Sequence, residues 1–101
     1  MRNRVGSRWK RIRGRLMQID SGPYGLVWGV TKSYNVYCRV GITVRNSKGS
    51  GWHRVKGKLK YVSVGQFGTW GVNSRNYIYY RYGVSRVRPY GKTDLYYNLL
   101  K

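Results

Sequence analysis

The chain has 101 residues, so it forms one small domain or part of a larger assembly and not two independent globular units. Hydrophobic residues make up 41% of it, which permits a folded core and argues against a disordered chain. The chain has 21 Lys and Arg residues but only two acidic residues, Asp20 and Asp94, so its formal net charge is +19. This excess predicts a polyanionic partner and says nothing about the fold.

The first half of the chain alternates side chains with period two and predicts short antiparallel strands. The expected strands are 9–13, 16–21, 27–31 and 35–40, with turns at 14, 22–25 and 32–34. Glycines in these turns supply the positive φ that tight connections require. The best candidate for a helix is the tail, where Leu95, Leu99 and Leu100 can share one face.

The second half of the chain repeats the first. Four landmarks recur 43 residues later: Trp9 as Trp52, Gly14 as Gly57, Leu16 as Leu59 and Gly22 as Gly65. After a deletion of one residue, six more recur at an offset of 42: Trp28 as Trp70, Gly29 as Gly71, Val30 as Val72, Tyr37 as Tyr79, Arg39 as Arg81 and Gly41 as Gly83. A four-stranded unit repeated at this spacing predicts the blades of a β-propeller.

The repeated residues also resemble a known family. A leading Trp, then G-x-L, a short strand ending in Gly, W-G-V and Y-x-R-x-G is similar to the tectonin repeat of β-propeller lectins of the fish-egg lectin and horseshoe-crab tachylectin kind. The resemblance covers residues 9–85. It implies an all-β fold of two four-stranded antiparallel blades, divided into a basic segment 1–8, blade 1 at 9–51, blade 2 at 52–88 and a tail 89–101 that completes or closes the ring.

Two blades are too few for a propeller, because each sheet has two faces to cover and repeat folds generally need about three units. We therefore expect several chains to close one ring through head-to-tail contacts. The resemblance favours six blades from three chains, although other numbers of copies stay open. Trp28 and Trp70 are expected to pack between neighbouring blades, as large aromatics usually do.

The residues argue against an enzyme. Asp20 and Asp94 are far apart in sequence, so they do not form the carboxylate pair of a glycosidase. His53 is the only histidine and Cys38 the only cysteine, which excludes an internal disulfide and a His or Cys metal cluster within one chain. We expect Cys38 to be buried and His53 to face solvent, and we predict no catalytic residue, metal or cofactor.

Binding remains, and the resemblance implies a lectin for carbohydrate or lipopolysaccharide, with one weak site on each blade. The polar and aromatic turn residues are the candidate contacts, together with an arginine at the end of each fourth strand: Tyr34, Asn35, Arg39, Asn73, Arg75, Asn76, Tyr77 and Arg81. For the two arginines an alternative is an edge charge that discourages aggregation.

A second interpretation is a general polyanion binder, with sulfated glycan, nucleic acid or an inorganic anion as ligand. Basic residues alternate along the matching stretch of each copy and form the candidate patch: Arg8, Lys10, Arg11, Arg13, Arg15, Arg54, Lys56, Lys58 and Lys60. Binding of this kind falls steeply as salt rises. A merely supercharged, soluble surface is the alternative.

Two further interpretations stay open. An engineered or reconstructed self-assembling fragment without a natural ligand is one, although the copies are less alike than in an idealised design. A basic RNA-binding protein of ribosomal type is the other, and it does not account for the repeat. The sequence suggests neither a signal peptide nor a transmembrane helix, and the resemblance implies an extracellular protein.

Overall fold

The computed structural model describes residues 8–85 and 88–91. Seven strands form: β1 (Gln18–Gly22), β2 (Leu26–Val30), β3 (Asn35–Val40), β4 (Gly51–Lys58), β5 (Tyr61–Val64), β6 (Gly68–Val72) and β7 (Ile78–Tyr82). A 3-10 turn, Pro23–Gly25, joins β1 to β2, and Tyr24 at its centre has φ 63°. The tail, named above as the best candidate for a helix, falls outside the described residues from residue 92 onwards.

The strands form two antiparallel sheets, so the all-β prediction is confirmed. The first sheet has the order β1-β2-β3-β4 and the second has the order β5-β6-β7. Two four-stranded blades were expected, and this is correct for the first sheet only. Within the described part of the chain the second sheet has three strands.

The repeats of the sequence and the sheets of the structure are out of phase. β4 begins the second copy of the repeat, yet it pairs with β3 and completes the first sheet, with Trp52 opposite Arg39. The sheet boundary therefore follows Lys58, whereas the copies meet at residues 51 and 52. The strand predicted at 9–13 is wrong: this segment is not a strand, because no described strand lies beside it, and Trp9 is 99% exposed.

The core lies between the two sheets, where β1 and β2 contact β5. Trp28 is its largest side chain and is only 1% exposed, and its indole Nε1 donates a hydrogen bond to the Pro89 carbonyl at 3.0 Å. The predicted position of Trp28 between blades is confirmed, and so is the burial of Cys38. Trp70 is 46% exposed, because it lies on the face of β6 that points away from the first sheet.

Polar side chains of β1 hold the edge of β5. The Gln18 amide donates to the Val62 carbonyl at 2.8 Å and accepts from the Val62 amide at 2.9 Å. The Asp20 carboxylate accepts from the Val64 amide at 2.7 Å. These three hydrogen bonds and the Trp28 contact fix the two sheets against each other, which positions the turns described next.

Candidate ligand-binding surface

The β2–β3 and β6–β7 turns have the same hydrogen-bonded architecture. In the first turn the Thr31 hydroxyl accepts from the amides of Ser33 and Asn35 at 3.3 and 3.1 Å. In the second turn the Asn73 side-chain oxygen accepts from the amides two and four residues later, both at 3.0 Å. Tyr34 and Asn76 occupy matching positions with φ 71° and 68°. The repeat therefore presents one pre-formed polar turn on each sheet.

Two predicted patch lysines lie at these turns. The Lys58 ammonium donates to the Ser33 carbonyl at 3.3 Å, and the Lys60 ammonium donates to the Asn76 side-chain oxygen. Between them the Leu59 amide donates to the Tyr34 carbonyl at 3.0 Å. One short segment thus brings a cation to each turn, and residues that the sequence assigned to separate sets are neighbours.

An open groove of about 640 Å³ lies beside the first turn. It is lined by residues 15–17 on one side and by Thr31, Lys32, Ser33 and Asn35 on the other. Residues 15–17 match 58–60 in the repeat, so the groove is the counterpart of the Lys58 and Lys60 arrangement. Arg15 is exposed and contributes its charge to the wall. Each sheet therefore carries a basic segment next to a polar turn.

The remaining turn candidates differ in exposure. Arg75, Asn76 and Tyr77 are exposed, and Tyr77 is 47% exposed. Tyr34 and Asn35 are half-buried. Asn73 uses its oxygen within the turn, and its amide nitrogen donates to the Tyr79 hydroxyl at 3.3 Å. The second turn thus offers more side-chain surface to a ligand than the first.

The two strand-ending arginines have a different environment from the turn residues. Arg39 is 9% exposed and Arg81 is 6% exposed. Arg39 Nε donates to the Lys48 carbonyl at 2.8 Å, and Arg81 Nε donates to the Tyr90 carbonyl, the matching position nine residues on. Each guanidinium therefore holds the loop that follows its own strand.

The other patch residues are solvent-facing but dispersed. Arg8, Lys10, Arg11 and Arg13 lie along the exposed N-terminal segment, and Arg54 and Lys56 lie on β4. Arg54 donates to the Gly57 carbonyl at 3.2 Å, and its guanidinium carbon lies 5.9 Å from the centre of the Tyr37 ring. These cations form a broad positive surface, and of the patch only Arg15, Lys58 and Lys60 adjoin the turns and groove.

Sequence reasoning missed Met17, Lys32 and Ser33. All three line the groove, and the Ser33 carbonyl also accepts the hydrogen bond from the Lys58 ammonium. The available signal was the repeat itself, because Met17 matches Lys60 at the same offset as the landmark leucines. Lys32 and Ser33 stood in the predicted turn without being named as contacts. A turn motif alone does not indicate which of its neighbours approaches it in space.

The groups that do acid–base or metal chemistry are dispersed in the described part of the chain. No cluster of three or more His, Cys, Asp or Glu side chains occurs there. Burial raises the pKa of the Cys38 thiol to about 12, and the nearby positive charge of Arg81 lowers it by a smaller amount. His53 is exposed, as expected, and stacks on Tyr90 with ring centroids 4.3 Å apart.

The model of the tectonin domain family matches residues 2–94. The match spans both sheets and both turns. No curated protein matches the chain. In the described residues there is no helix of the length and apolarity that a membrane crossing requires.

Proposed function

The chain belongs to the tectonin family, a lectin-like family of β-propellers, and we propose that it is a non-enzymatic binding protein for the phosphorylated sugars of lipopolysaccharide. The observation that supports this is the position of Lys58 and Lys60 beside the two repeated turns. Ammonium groups favour phosphate, while turn amides and hydroxyls suit sugar hydroxyls. Lipopolysaccharide carries both kinds of group on one molecule.

Repetition of the site supports the same ligand. Each sheet offers one basic segment and one polar turn, so a chain has two weak sites of related shape. We propose that several copies close one ring, with three copies and six blades favoured, which would multiply these sites. Linked weak sites bind a repeating surface far more tightly than one site does, because the second contact forms at high effective concentration.

The test is a pair of charge-matched variants. The double variant Lys58→Gln and Lys60→Gln removes two cations from the turns, and Arg45→Gln with Lys48→Gln removes two from the exposed loop at the other end of β3. We expect the first pair to weaken binding to lipopolysaccharide about tenfold, since each exposed ion pair contributes up to about 1 kcal/mol. Calorimetric titration at fixed salt measures the loss. Equal weakening by both pairs would contradict the proposed site.

The second candidate function is general polyanion binding, which the net charge of +19 favours. Heparin and a duplex RNA serve as probes, titrated at several salt concentrations beside lipopolysaccharide. A general polyanion binder would bind heparin, duplex RNA and lipopolysaccharide with an affinity that falls steeply as salt rises, and neutral sugar would not compete. Competition by free N-acetylglucosamine, together with binding to lipopolysaccharide that persists at high salt, would favour the lectin.

A further inference from the structure

The two copies of the repeat carry an aromatic residue at the same place in the same turn. Residues 22–25 read Gly-Pro-Tyr-Gly between β1 and β2, and residues 65–68 read Gly-Gln-Phe-Gly between β5 and β6. Tyr24 and Phe67 are therefore equivalent at the offset of 43, and they are 65% and 76% exposed. Neither ring belongs to the core of the described residues, so core packing does not account for the repeated aromatic.

The backbone at Tyr24 adds a second observation. Its φ of 63° lies in the left-handed region, which bulky residues seldom adopt and which glycine adopts freely. The 3-10 turn around it contains no buried residue. An exposed tyrosine held in an unfavourable conformation indicates a role outside the fold.

The β1–β2 turn touches both of the other loops at its end of the sheets. A Cβ added to Gly25 would lie 2.7 Å from Ile42 Cγ2, in the loop between β3 and β4. A Cβ added to Gly22 would lie 2.6 Å from Val64 Cγ1, on the last residue of β5. The β1–β2 turn, the β3–β4 loop and the β5–β6 loop therefore share one end of the two sheets.

The β3–β4 loop adds a third exposed apolar residue at this end. Thr43 and Asn46 exchange backbone hydrogen bonds of 3.1 and 3.2 Å, which close a turn with Val44 at its tip. Val44 is 92% exposed. We call Tyr24, Val44 and Phe67 the apolar tips. Val44 has no ring to stack on a sugar, so glycan binding does not account for all three.

Positive charge surrounds the apolar tips. Arg45 and Lys48 are exposed in the β3–β4 loop. Arg88 is exposed in the segment after β7, whose last residue pairs with the first residue of β6. Asp20 is the only carboxylate side chain in the described residues, and it is half-buried and accepts a backbone hydrogen bond. This end of the molecule thus combines protruding apolar side chains with uncompensated positive charge.

We infer that the apolar tips insert into the headgroup region of an anionic phospholipid bilayer, with Arg45, Lys48 and Arg88 against the headgroups. Aromatic side chains are favoured at the membrane–water interface, and basic side chains are attracted to an anionic leaflet. Sites for small molecules are concave, whereas these side chains project from separate loops. A broad anionic surface with an apolar interior therefore fits this end better than a soluble ligand.

The bilayer surface lies opposite the proposed sugar site. The β2–β3 turn follows Val30, which pairs with Val36, and the β6–β7 turn follows Val72, which pairs with Ile78. Both turns lie at the ends of the strands away from the apolar tips. Bilayer docking is therefore an additional activity that does not depend on lipopolysaccharide binding, and a chain can hold a membrane at one end and a sugar at the other.

The first test removes both aromatic tips. The double variant Tyr24→Gly and Phe67→Ser keeps the fold, because glycine suits the φ of 63° and Phe67 is outside the core. Ile19→Ser is the control, since it removes a 59% exposed side chain from β1 between the two ends. Co-sedimentation with vesicles of phosphatidylglycerol and phosphatidylcholine measures binding. We expect the double variant to bind at least about tenfold more weakly, because two rings no longer leave water, and Ile19→Ser to bind like the wild type.

Urea unfolding of the double variant shows whether it is folded, so that lost binding is assigned to the tips. A folded double variant that binds vesicles as tightly as the wild type would overturn the inference. Vesicles of phosphatidylcholine alone test the role of charge, and we expect the wild type to bind them much more weakly. Failure of the wild type to bind either kind of vesicle would overturn the inference and leave the tips to a protein partner.

The second test identifies the end that enters the bilayer. Phe67→Trp places an indole at a tip, and Tyr77→Trp places one in the β6–β7 turn at the opposite end. Each is compared with the wild-type fluorescence in vesicles whose acyl chains carry bromine, which quenches an indole that enters the bilayer. We expect additional quenching in Phe67→Trp only. Equal quenching of both variants, or quenching in Tyr77→Trp alone, would overturn the inference.

A glycan is the rival occupant of the apolar tips. Neutral N-acetylglucosamine oligomers, added to wild-type protein and vesicles, test for it. We expect no competition, and displacement from the vesicles would assign the tips to sugar and overturn the inference. Lipopolysaccharide freed of its acyl chains forms no bilayer, so its binding to the lysine variants reports on the sugar site alone. The binding function and the bilayer surface therefore fail independently.

Discussion

At the scale of single residues, Arg39 shows how a buried arginine in a basic protein can stabilise the fold. It is 9% exposed, donates to the carbonyls of Lys48 and Gly49, and lies against the Trp52 ring. Among the described residues, the other backbone bonds of the loop between β3 and β4 are local turns and one bond from the Ser50 amide to the Val40 carbonyl at 2.9 Å. The side chain therefore anchors 41–50 to the sheet.

Replacement of Arg39 by Met keeps most of the aliphatic volume and removes the donors. We expect the free energy of unfolding to fall by about 2 to 4 kcal/mol, because the Lys48 and Gly49 carbonyls lose a charged partner. Arg45→Met, in the same loop but exposed, should change it by less than about 0.5 kcal/mol. Urea unfolding measures both. Equal effects would contradict the anchoring role.

Cys38 gives a prediction about pH. Burial raises the pKa of its thiol to about 12 from an ordinary value of 9.0. Below pH 9 the thiol is neutral in both states, so its stabilising contribution is fully present. As the pH rises from 9 towards 12, the thiol of the unfolded chain ionises while the native thiol does not, and this contribution is lost.

The measurement compares the wild-type chain with Cys38→Ala, so that every pH effect other than that of the thiol is common to both proteins. We expect the wild-type free energy of unfolding to fall more steeply above pH 9, by up to about 1.4 kcal/mol per pH unit. Below pH 9 the difference between the two proteins should be constant. Parallel curves up to pH 11 would contradict the burial of a neutral thiol.

At the scale of elements, β1 holds β5 through side chains instead of a strand ladder. Gln18→Leu removes both hydrogen bonds to Val62 while keeping a similar volume. We expect the Val62 amide to exchange with deuterium at least about tenfold faster, because its acceptor is gone. The Val55 amide lies elsewhere in the core and serves as the internal control, and Gln66→Leu in the exposed β5–β6 loop is the matched variant. Unchanged exchange at Val62 would contradict this contact.

Much of this architecture follows from the sequence because its signals are local. Period-two alternation and turn glycines predicted the strands around Trp28 and Tyr37, and the matched landmarks predicted the repeat. The assignment of β4 was not predictable in this way, since strand pairing depends on which backbone edge lies alongside. The same limit applies to the segment around Trp9, which resembles β4 in sequence and has no described strand beside it.

The sequence predicted which types of residue form the candidate site, but it did not predict which of them lie next to each other in space. Lys60 and Asn76 were both named from the sequence, yet their contact depends on how the segment after β4 crosses towards the β6–β7 turn. Arg39 and Arg81 end equivalent strands, and this pattern fits either an edge charge or an anion contact. Only their burial and their carbonyl partners indicate that they hold loops.

At the scale of the whole molecule, the described residues form two sheets of a repeating architecture whose outer faces differ. One outer face presents Trp70, and the other presents a cavity beside Leu16. The same repeat that packs Trp28 between sheets leaves Trp70 46% exposed, because in the described part of the chain no sheet covers the outer face of β6. Covering this face would remove apolar surface from water, which is the main driving force for association.

The native mass of the wild-type particle tests this account most directly. Light scattering after size exclusion, at high salt and over a range of protein concentrations, compares it with 11.8 kDa for one chain. The account predicts a single species of three chains that does not grow further as concentration rises, because a closed ring has no free end. A folded particle of one chain at every concentration would contradict it.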